Sequence, residues 1–338
     1  MTHGGKPEAQ QVADVVRSWA AGHGVHCADV DVWSSGVDRL DDELEAARAG
    51  SPDLIVTIGG DGTFLRGIRV AAVLDALVLG VDLGRIGFLT EVAVDQVVSA
   101  LAAVHEGRSL VETRMTLTMR ASRPLEVPPN LKSFLQYGRG PALPPPAVGK
   151  VDPREVGWGV RINVAALNDV VFEKLVRDRQ ASLAVYVMSR HFASYSSDAL
   201  IVSTPTGSTA YNFAAGGPIL SPRMDALVFT PVAPHMVFDR SLVLSSAERI
   251  GFIVLERSGP VTVSVDGQLR GVLQPGDWVS VFASEYRPRL VRLLDTDFLG
   301  RVRSRFHLAD ADAAVADGDV PAVYDPGTPP PPDMVHPG

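Results

Sequence analysis

The stretch Leu54-Ile55-Val56-Thr57-Ile58-Gly59-Gly60-Asp61-Gly62-Thr63 decides the fold. Five apolar or β-branched residues in succession read as a strand buried on both faces, the kind found in parallel sheets. Glycines end it, and the periodic residues from Thr63 to Val73 read as a helix. Strand, glycine turn and helix in this order make an anion cradle. Glycine lets the backbone approach the anion, and successive N–H groups and the helix N-terminus supply positive potential. Asp61 is the odd member, because phosphate repels a carboxylate unless that carboxylate takes a proton or meets a metal. That makes it a candidate base, the plainer alternative being a residue that only caps the helix. The turn is not G-x-x-x-x-G-K-[ST], and Leu65 stands where the third glycine of G-x-G-x-x-G belongs. Neither a P-loop nor an ordinary dinucleotide-dehydrogenase turn is indicated.

Outward from this turn the pattern is α/β. Residues 8 to 22 place Val12, Val15, Val16 and Trp19 on one helical face, Ala76 to Val81 reads as a second parallel strand, and Val94 to His105 as another helix. An open, mostly parallel sheet is expected over residues 1–106. Such a sheet normally starts with a strand, yet only Met1-Thr2-His3-Gly4-Gly5 precedes Lys6-Pro7, so either the chain begins inside that strand or the sheet lacks it. After Gly107 strands dominate: Leu110 to Arg120, Val160 to Phe172, Leu183 to Arg190, Arg249 to Leu255, Val261 to Val265 and Trp278 to Ala283, with one helical stretch near Ser208 to Ala215. A β-rich, mostly antiparallel domain over 107–294 follows. Eight of the 25 prolines lie between Ala121 and Pro153 and seven between Pro321 and Gly338. The first cluster reads as a long loop inserted at 121–153, and the tail 319–338 as extended or disordered.

Composition narrows the chemistry. A net charge of −8 argues against a partner held by nucleic-acid phosphates. One cysteine, Cys27, excludes a disulfide framework, and no apolar run is long enough to span a membrane, so a cytoplasmic protein acting on a small molecule is expected.

A second polar run, Ser203-Thr204-Pro205-Thr206-Gly207-Ser208-Thr209-Ala210-Tyr211-Asn212-Phe213-Ala214-Ala215-Gly216-Gly217-Pro218, places five hydroxyls before a short helix. They can cap that helix or bind a polar ligand, and Tyr211 can stack on a base. Asp198 lies just upstream and Asn168-Asp169 at the end of another strand, so three further polar groups can converge from separate strands, although an Asn-Asp pair at a strand end alone reads as a turn. Taken in order and spacing, Gly59 to Thr63, Leu79 to Leu89, Asn168-Asp169, Asp198 and Thr204 to Pro218 resemble the NAD kinase family, from about Lys6 to about Leu308.

The resemblance implies an N-terminal α/β domain, a β-rich C-terminal domain, and a segment, Asp295 to Leu308, returning to the first. It also implies transfer of the γ-phosphoryl group of ATP, or of inorganic polyphosphate, to the adenosine ribose 2′-hydroxyl of NAD. A divalent metal such as magnesium comes in with the donor rather than on dedicated protein ligands, and the enzyme is a homo-oligomer, dimer or tetramer. On the same basis Asp61 is the base, and the Gly59, Gly60 and Gly62 amides cradle phosphate. Asn168 and Asp169 hold a ribose, and Asp198 meets the nicotinamide side. Thr206, Thr209, Ala210, Tyr211, Asn212, Phe213 and Ala214 line the nucleotide pocket. Arg66 and Arg179 meet phosphate or are solvated surface arginines, and Gln268 is a further contact. Several positions depart from the family pattern: Asp169 replaces a usual glutamate, Ala199 a glycine, Ser196 an arginine of some members and Asp82 an asparagine. Competing readings are a lipid kinase sharing the Gly-Gly-Asp-Gly-Thr turn and a catalytically weak dinucleotide sensor.

Overall fold

A computed structural model describes residues 1–2, 6–29, 50–84, 87–127, 158–176, 179–293 and 298–308. Most of the proline-rich insert, the whole tail 319–338, and Arg85 and Ile86 of the second glycine turn lie outside these residues. Residues Met1–Thr296 form one compact unit; from Asp297 a second begins, represented by the helix Phe298–Arg305.

The first unit opens with helix α1 (Pro7–Gly22), strand β1 (Leu54–Ile58), helix α2 (Asp61–Leu74) and strand β2 (Leu77–Asp82). The two strands pair in parallel, Leu54 against Leu77 through Ile58 against Val81. Both sheet faces are covered, as continuous apolar strands require. On one face Ile58, Leu79 and Val81 pack with Val12 and Val16 of α1 and with Val97, Ala100 and Leu101 of helix α3 (Val97–His105). On the other, Ile55 and Val78 pack against Phe64, Ile68 and Ala71 of α2. Val15, expected on the buried face of α1, is exposed; the small residues Ala9, Ala13 and Ala20 are buried in its stead.

The short strand β3 (Val92–Ala93) pairs in parallel with the end of β2, and Thr2 makes a parallel bridge to Ile58 at the place a first strand would occupy. The long strand expected over Leu110 to Arg120 is two strands in two sheets. β4 (Leu110–Thr113) joins the N-terminal sheet, while β5 (Leu117–Ala121) enters the β-rich part. β17 (Arg289–Arg292) also belongs to the N-terminal sheet, parallel to β2 and antiparallel to β4. Its buried Leu290 and Val291 face the two helical layers in turn, which a four-residue strand near residue 290 did not advertise.

The rest is two six-stranded antiparallel sheets. One runs β12 (Leu242–Ser245), β11 (Ala226–Val232), β10 (Ala199–Ser203), β7 (Asp169–Lys174), β14 (Val261–Val265), β15 (Gln268–Leu273). The other runs β6 (Val160–Ala166), β5, β16 (Trp278–Ala283), β13 (Arg249–Val254), β8 (Ala181–Val187), β9 (Arg190–Ser197). Alternate residues of both share one core, including Val170, Phe172, Leu183, Val185, Phe229 and Phe252, as the period of two demands. Thus Val160 to Phe172 is a pair of strands broken at Leu167-Asn168, not one strand. Leu167 lies in the α2 core with Phe64 and Leu89, so the break between β6 and β7 is pinned to the helix that begins at Asp61.

Candidate active site

The glycine turn follows β1, and α2 starts at Asp61 with Gly60 as its flanking residue. A Cβ at Gly60 or Gly62 would meet no atom within 4 Å. These two positions therefore border open space, as a surface receiving a ligand must. Gly59 is different, since a Cβ there would lie 2.4 Å from Thr63 Oγ1. Asp61 does not cap its own helix. Its Oδ1 accepts the Leu89 N–H at 3.2 Å and its Oδ2 the Phe88 N–H at 3.3 Å. Both donors lie in the loop after β2, and Gly87 lets that loop close, because a Cβ at residue 87 would stand 2.2 Å from Asp61 Oδ1. Asp82 braces the same loop by accepting the Gly84 N–H at 2.7 Å and the Thr90 hydroxyl at 2.7 Å. A carboxylate held by two peptide N–H groups has a fixed orientation and keeps lone pairs for an incoming hydroxyl.

Asn168 and Asp169 stand at the β6–β7 turn. The carboxylate of Asp266 holds them there, accepting the N–H groups of Leu167 at 3.0 Å, Asn168 at 2.7 Å and Asp169 at 3.2 Å. Asp266 has φ 48° and Gly267 φ 72°, the left-handed pair of an Asp-Gly hairpin turn, and Gln268 comes directly after. Burial pushes the Asp169 carboxyl up to about 7, and the neighbouring charge of Asp266 adds to the shift. Desolvation also raises Asp266, opposed by its N–H donors and by the positive charge of Arg69 on α2. Sequence reasoning misses Asp266; its Asp-Gly hairpin signal is legible, but only the fold shows what the carboxylate grips.

Asp198 forms an ion pair with Lys174 on the adjoining strand. Burial raises the Tyr211 phenol, and the negative charges of Glu173, Asp169 and Asp198 add to the shift. Ala199 pairs with Glu173 and Ser203 with Asp169, so Asn168-Asp169 and Asp198 mark opposite ends of the β7–β10 pair. Tyr211, Phe213 and Ala214 are exposed, and Thr209 and Ala210 are half-buried, on the short helix Tyr211–Ala214 and the 3-10 turn Thr206–Thr209 before it.

Asn212 is a correction to the expected pocket lining. It is fully buried, donating to the Ser208 carbonyl at 3.1 Å and the Pro218 carbonyl at 3.0 Å and accepting the Thr230 hydroxyl at 2.7 Å. With its amide spent inside the protein, it shapes the turn. Thr206 is likewise buried, its hydroxyl accepting from Arg114 at 3.2 Å. Arg66 is buried on α2 rather than solvated, whereas Arg179 is exposed. Gln268 is half-buried beside the Asp266 turn.

A mostly parallel sheet whose glycine turn opens a helix, with a fixed carboxylate at that helix start and polar strand ends beside it, defines a nucleotide-dependent phosphotransferase. Residues 10–109 match the ATP-NAD kinase N-terminal domain and residues 167–293 the ATP-NAD kinase C-terminal domain. NAD kinase 1 of Streptomyces avermitilis is 58% identical over 99% of this chain and 93% of its own, and NAD kinase 1 of Streptomyces coelicolor 57% identical over 99% and 92%. The chain belongs to the NAD kinase family and is an NAD kinase. The fold is shared with yeast NADH kinase complexed with NADH (TM-score 0.63, 23% identity, 80% of this chain and 69% of that one). It is shared also with an NAD kinase from Archaeoglobus fulgidus in complex with ATP (TM-score 0.59, 21% identity, 86% and 94%). Among the described residues, no helix is long and apolar enough to cross a membrane.

Proposed function

We propose that this enzyme moves the γ-phosphoryl group of ATP, or the terminal phosphoryl of polyphosphate, onto the adenosine ribose 2′-hydroxyl of NAD, with Asp61 as the base. The supporting observation is the Asp61 carboxylate itself, fixed by the Phe88 and Leu89 N–H groups at the mouth of a turn whose Gly60 and Gly62 leave space for phosphate. The ribose 2′-oxygen gives its proton to Asp61 and bonds to the γ-phosphorus, while the bridging oxygen departs with ADP. Such a reaction gains most of its rate from alignment and charge stabilisation.

Asn168 and Asp169, held by Asp266, bind the ribose hydroxyls. Tyr211, with Thr209, Ala210 and Ala214, forms the nucleotide wall, and Asp198 sits on the nicotinamide side. A divalent ion such as magnesium would come in on the donor's phosphate oxygens, since it prefers few protein carboxylates plus phosphate. Asp61 is the carboxylate at the phosphate turn that would meet such an ion, which when bound offsets charge on the transferring phosphoryl group. The sensor alternative gives no reason for Asp61 to be held so firmly. We place the reaction in the cytoplasm and expect a homo-oligomer, which light scattering would test.

The test is conversion of NAD to NADP by the purified protein with magnesium and either ATP or polyphosphate. Asp61→Asn should lower kcat by about 100-fold or more, the span of general-base catalysis, with NAD affinity nearly unchanged. NADP formation by Asp61→Asn at the wild-type rate would refute the assignment.

A further inference from the structure

Two arginines buried between the N-terminal sheet and the β-rich part are not explained by ligand contacts or by helix packing. Arg114 lies between β4 and β5, and Arg292 ends β17; each side chain is 3% exposed. Both donate to one atom, Glu112 Oε2, Arg114 through Nη2 at 2.7 Å and Arg292 through Nε at 2.8 Å. Burial opposes ionisation of Glu112, but the hydrogen bonds and charges of the two arginines outweigh it and hold the carboxyl below its ordinary range.

The outer arms of the pair reach the two halves of the site. Arg292 Nη1 donates to the Leu89 carbonyl at 3.0 Å and lies 3.1 Å from Glu91 Oε2. Leu89 is the residue whose N–H grips Asp61 Oδ1. Arg114 Nη1 donates to the Thr206 hydroxyl, at the start of the turn that carries Thr209 and Tyr211. One bonded path therefore runs from Asp61 through Leu89, Arg292, Glu112 and Arg114 to Thr206. A guanidinium fork can serve two acceptors in fixed directions; a lysine ammonium at the same place keeps the charge but not the fork.

We propose that Arg292 and Arg114 are positioning residues for phosphoryl transfer, joined through Glu112, with Arg292 orienting the base through Leu89 and Arg114 setting the acceptor-nucleotide turn through Thr206. This rests on the reading of Asp61 as the base. A misplacement of about 1 Å at a reacting group costs rate out of proportion to the energy of the single hydrogen bond whose breaking allows it.

The test uses the full-length enzyme and the charge-conserving variants Arg292→Lys and Arg114→Lys, with Asp61→Asn assayed alongside. Arg292→Lys should lower kcat about 10- to 100-fold, shift the acid limb of the kcat–pH profile, and leave KM for NAD within about twofold. Arg114→Lys should raise KM for NAD about 5- to 10-fold with the pH profile unmoved. Because both act through Glu112, the double variant should lose less than the product of the single losses. A purely structural role would lower Tm and give no such split, and equal kinetic constants in both folded variants would overturn the proposal. Should a lysine variant fail to fold, Glu112→Gln keeps the shape and an acceptor. It should then show both effects in milder form, and unchanged kcat and KM in that protein would also overturn the proposal. Full activity in Asp61→Asn would instead sink the base assignment, whatever the arginine variants do.

Discussion

The glycine turn at Gly59 to Thr63 and the hydroxyl-rich run from Ser203 to Gly217 are equally conspicuous in sequence, yet they are built on opposite plans. In the first, Gly60 and Gly62 face nothing within 4 Å. In the second, most polar groups are spent internally. Thr204 Oγ1 accepts the Gly207 N–H, Ser208 bonds the Pro205 carbonyl, and Asn212 completes three hydrogen bonds. The turn is open at two positions, whereas the run is filled beneath Thr209, Ala210 and Tyr211, which reach the surface. A motif can stand out because its residues touch substrate or because they hold up the few that do, and the two kinds should fail differently when changed.

The largest difference is expected between two glycines that both lack room for a Cβ. Gly87→Ala would press on the Asp61 carboxylate at 2.2 Å and should cut kcat by about 100-fold, as misplacing a catalytic group does, with little change in Tm. Gly207→Ala would drive a Cβ to 2.0 Å from the Asn168 carbonyl oxygen, which is backbone and cannot swing away. It should cost more than about 3 kcal/mol of stability, read as a fall in the urea midpoint. The reverse outcome, with Gly207→Ala stable and Gly87→Ala unfolded, would break the comparison.

Asn212→Ala leaves the buried Ser208 carbonyl and the Pro218 carbonyl without their amide donor and takes one partner from the Thr230 hydroxyl, which keeps Ser241 at 2.8 Å, so a loss of about 2 to 4 kcal/mol is expected. By contrast Gly62→Ala, in the first turn of α2, should gain roughly 0.5 kcal/mol from reduced unfolded-state entropy while lowering activity about tenfold by crowding the phosphate. Stability and turnover would thus move in opposite directions in one protein, which calorimetry and a steady-state assay can check.

Asp169 sharpens the contrast through pH. Its carboxyl is raised to about 7 by burial and by Asp266, so the folded state favours the protonated form. That stabilisation is complete below the ordinary value near 3.8 and is lost as pH rises towards 7. Asp169→Asn should therefore flatten the decline of stability between about pH 4 and 7 and remove a step near pH 7 in KM for NAD. The smallest effect is expected from deleting residues 321–338, which should leave kcat within about twofold.

What can be read from the sequence follows from how strongly each element signals its own surroundings. β1, β2 and α2 announce themselves because an unbroken apolar run suits a strand buried on both faces and a 3.6-residue period suits a helix with one buried stripe. β9 does not, since its exposed residues alternate weakly and Tyr195 is its large inward side chain. β12 and β17 are four residues long, too short for a period. At the site, the groups proposed to meet substrate, such as Asp61 and Tyr211, stand in quotable motifs. Groups that hold the backbone, such as Asp266, Gly87, Arg114 and Arg292, take their meaning from contacts with Asn168, Asp61, Thr206 and Leu89, 26 to 203 residues away, and no local pattern records that. Asn212 misleads for a related reason, because its place inside a motif does not say which way its amide turns.

The short strand β17 carries a consequence for how the chain is made. Strands β1 and β2 and the phosphate turn leave the ribosome early, but the edge of β2 that receives Leu290 stays unpaired until nearly 290 residues have been synthesised. Arg292, which fastens the Leu89 carbonyl, arrives with it. The nascent enzyme thus owns its glycine turn long before Arg292 fastens the loop that grips Asp61, and its first sheet must wait, edge open, through the synthesis of both β-rich sheets.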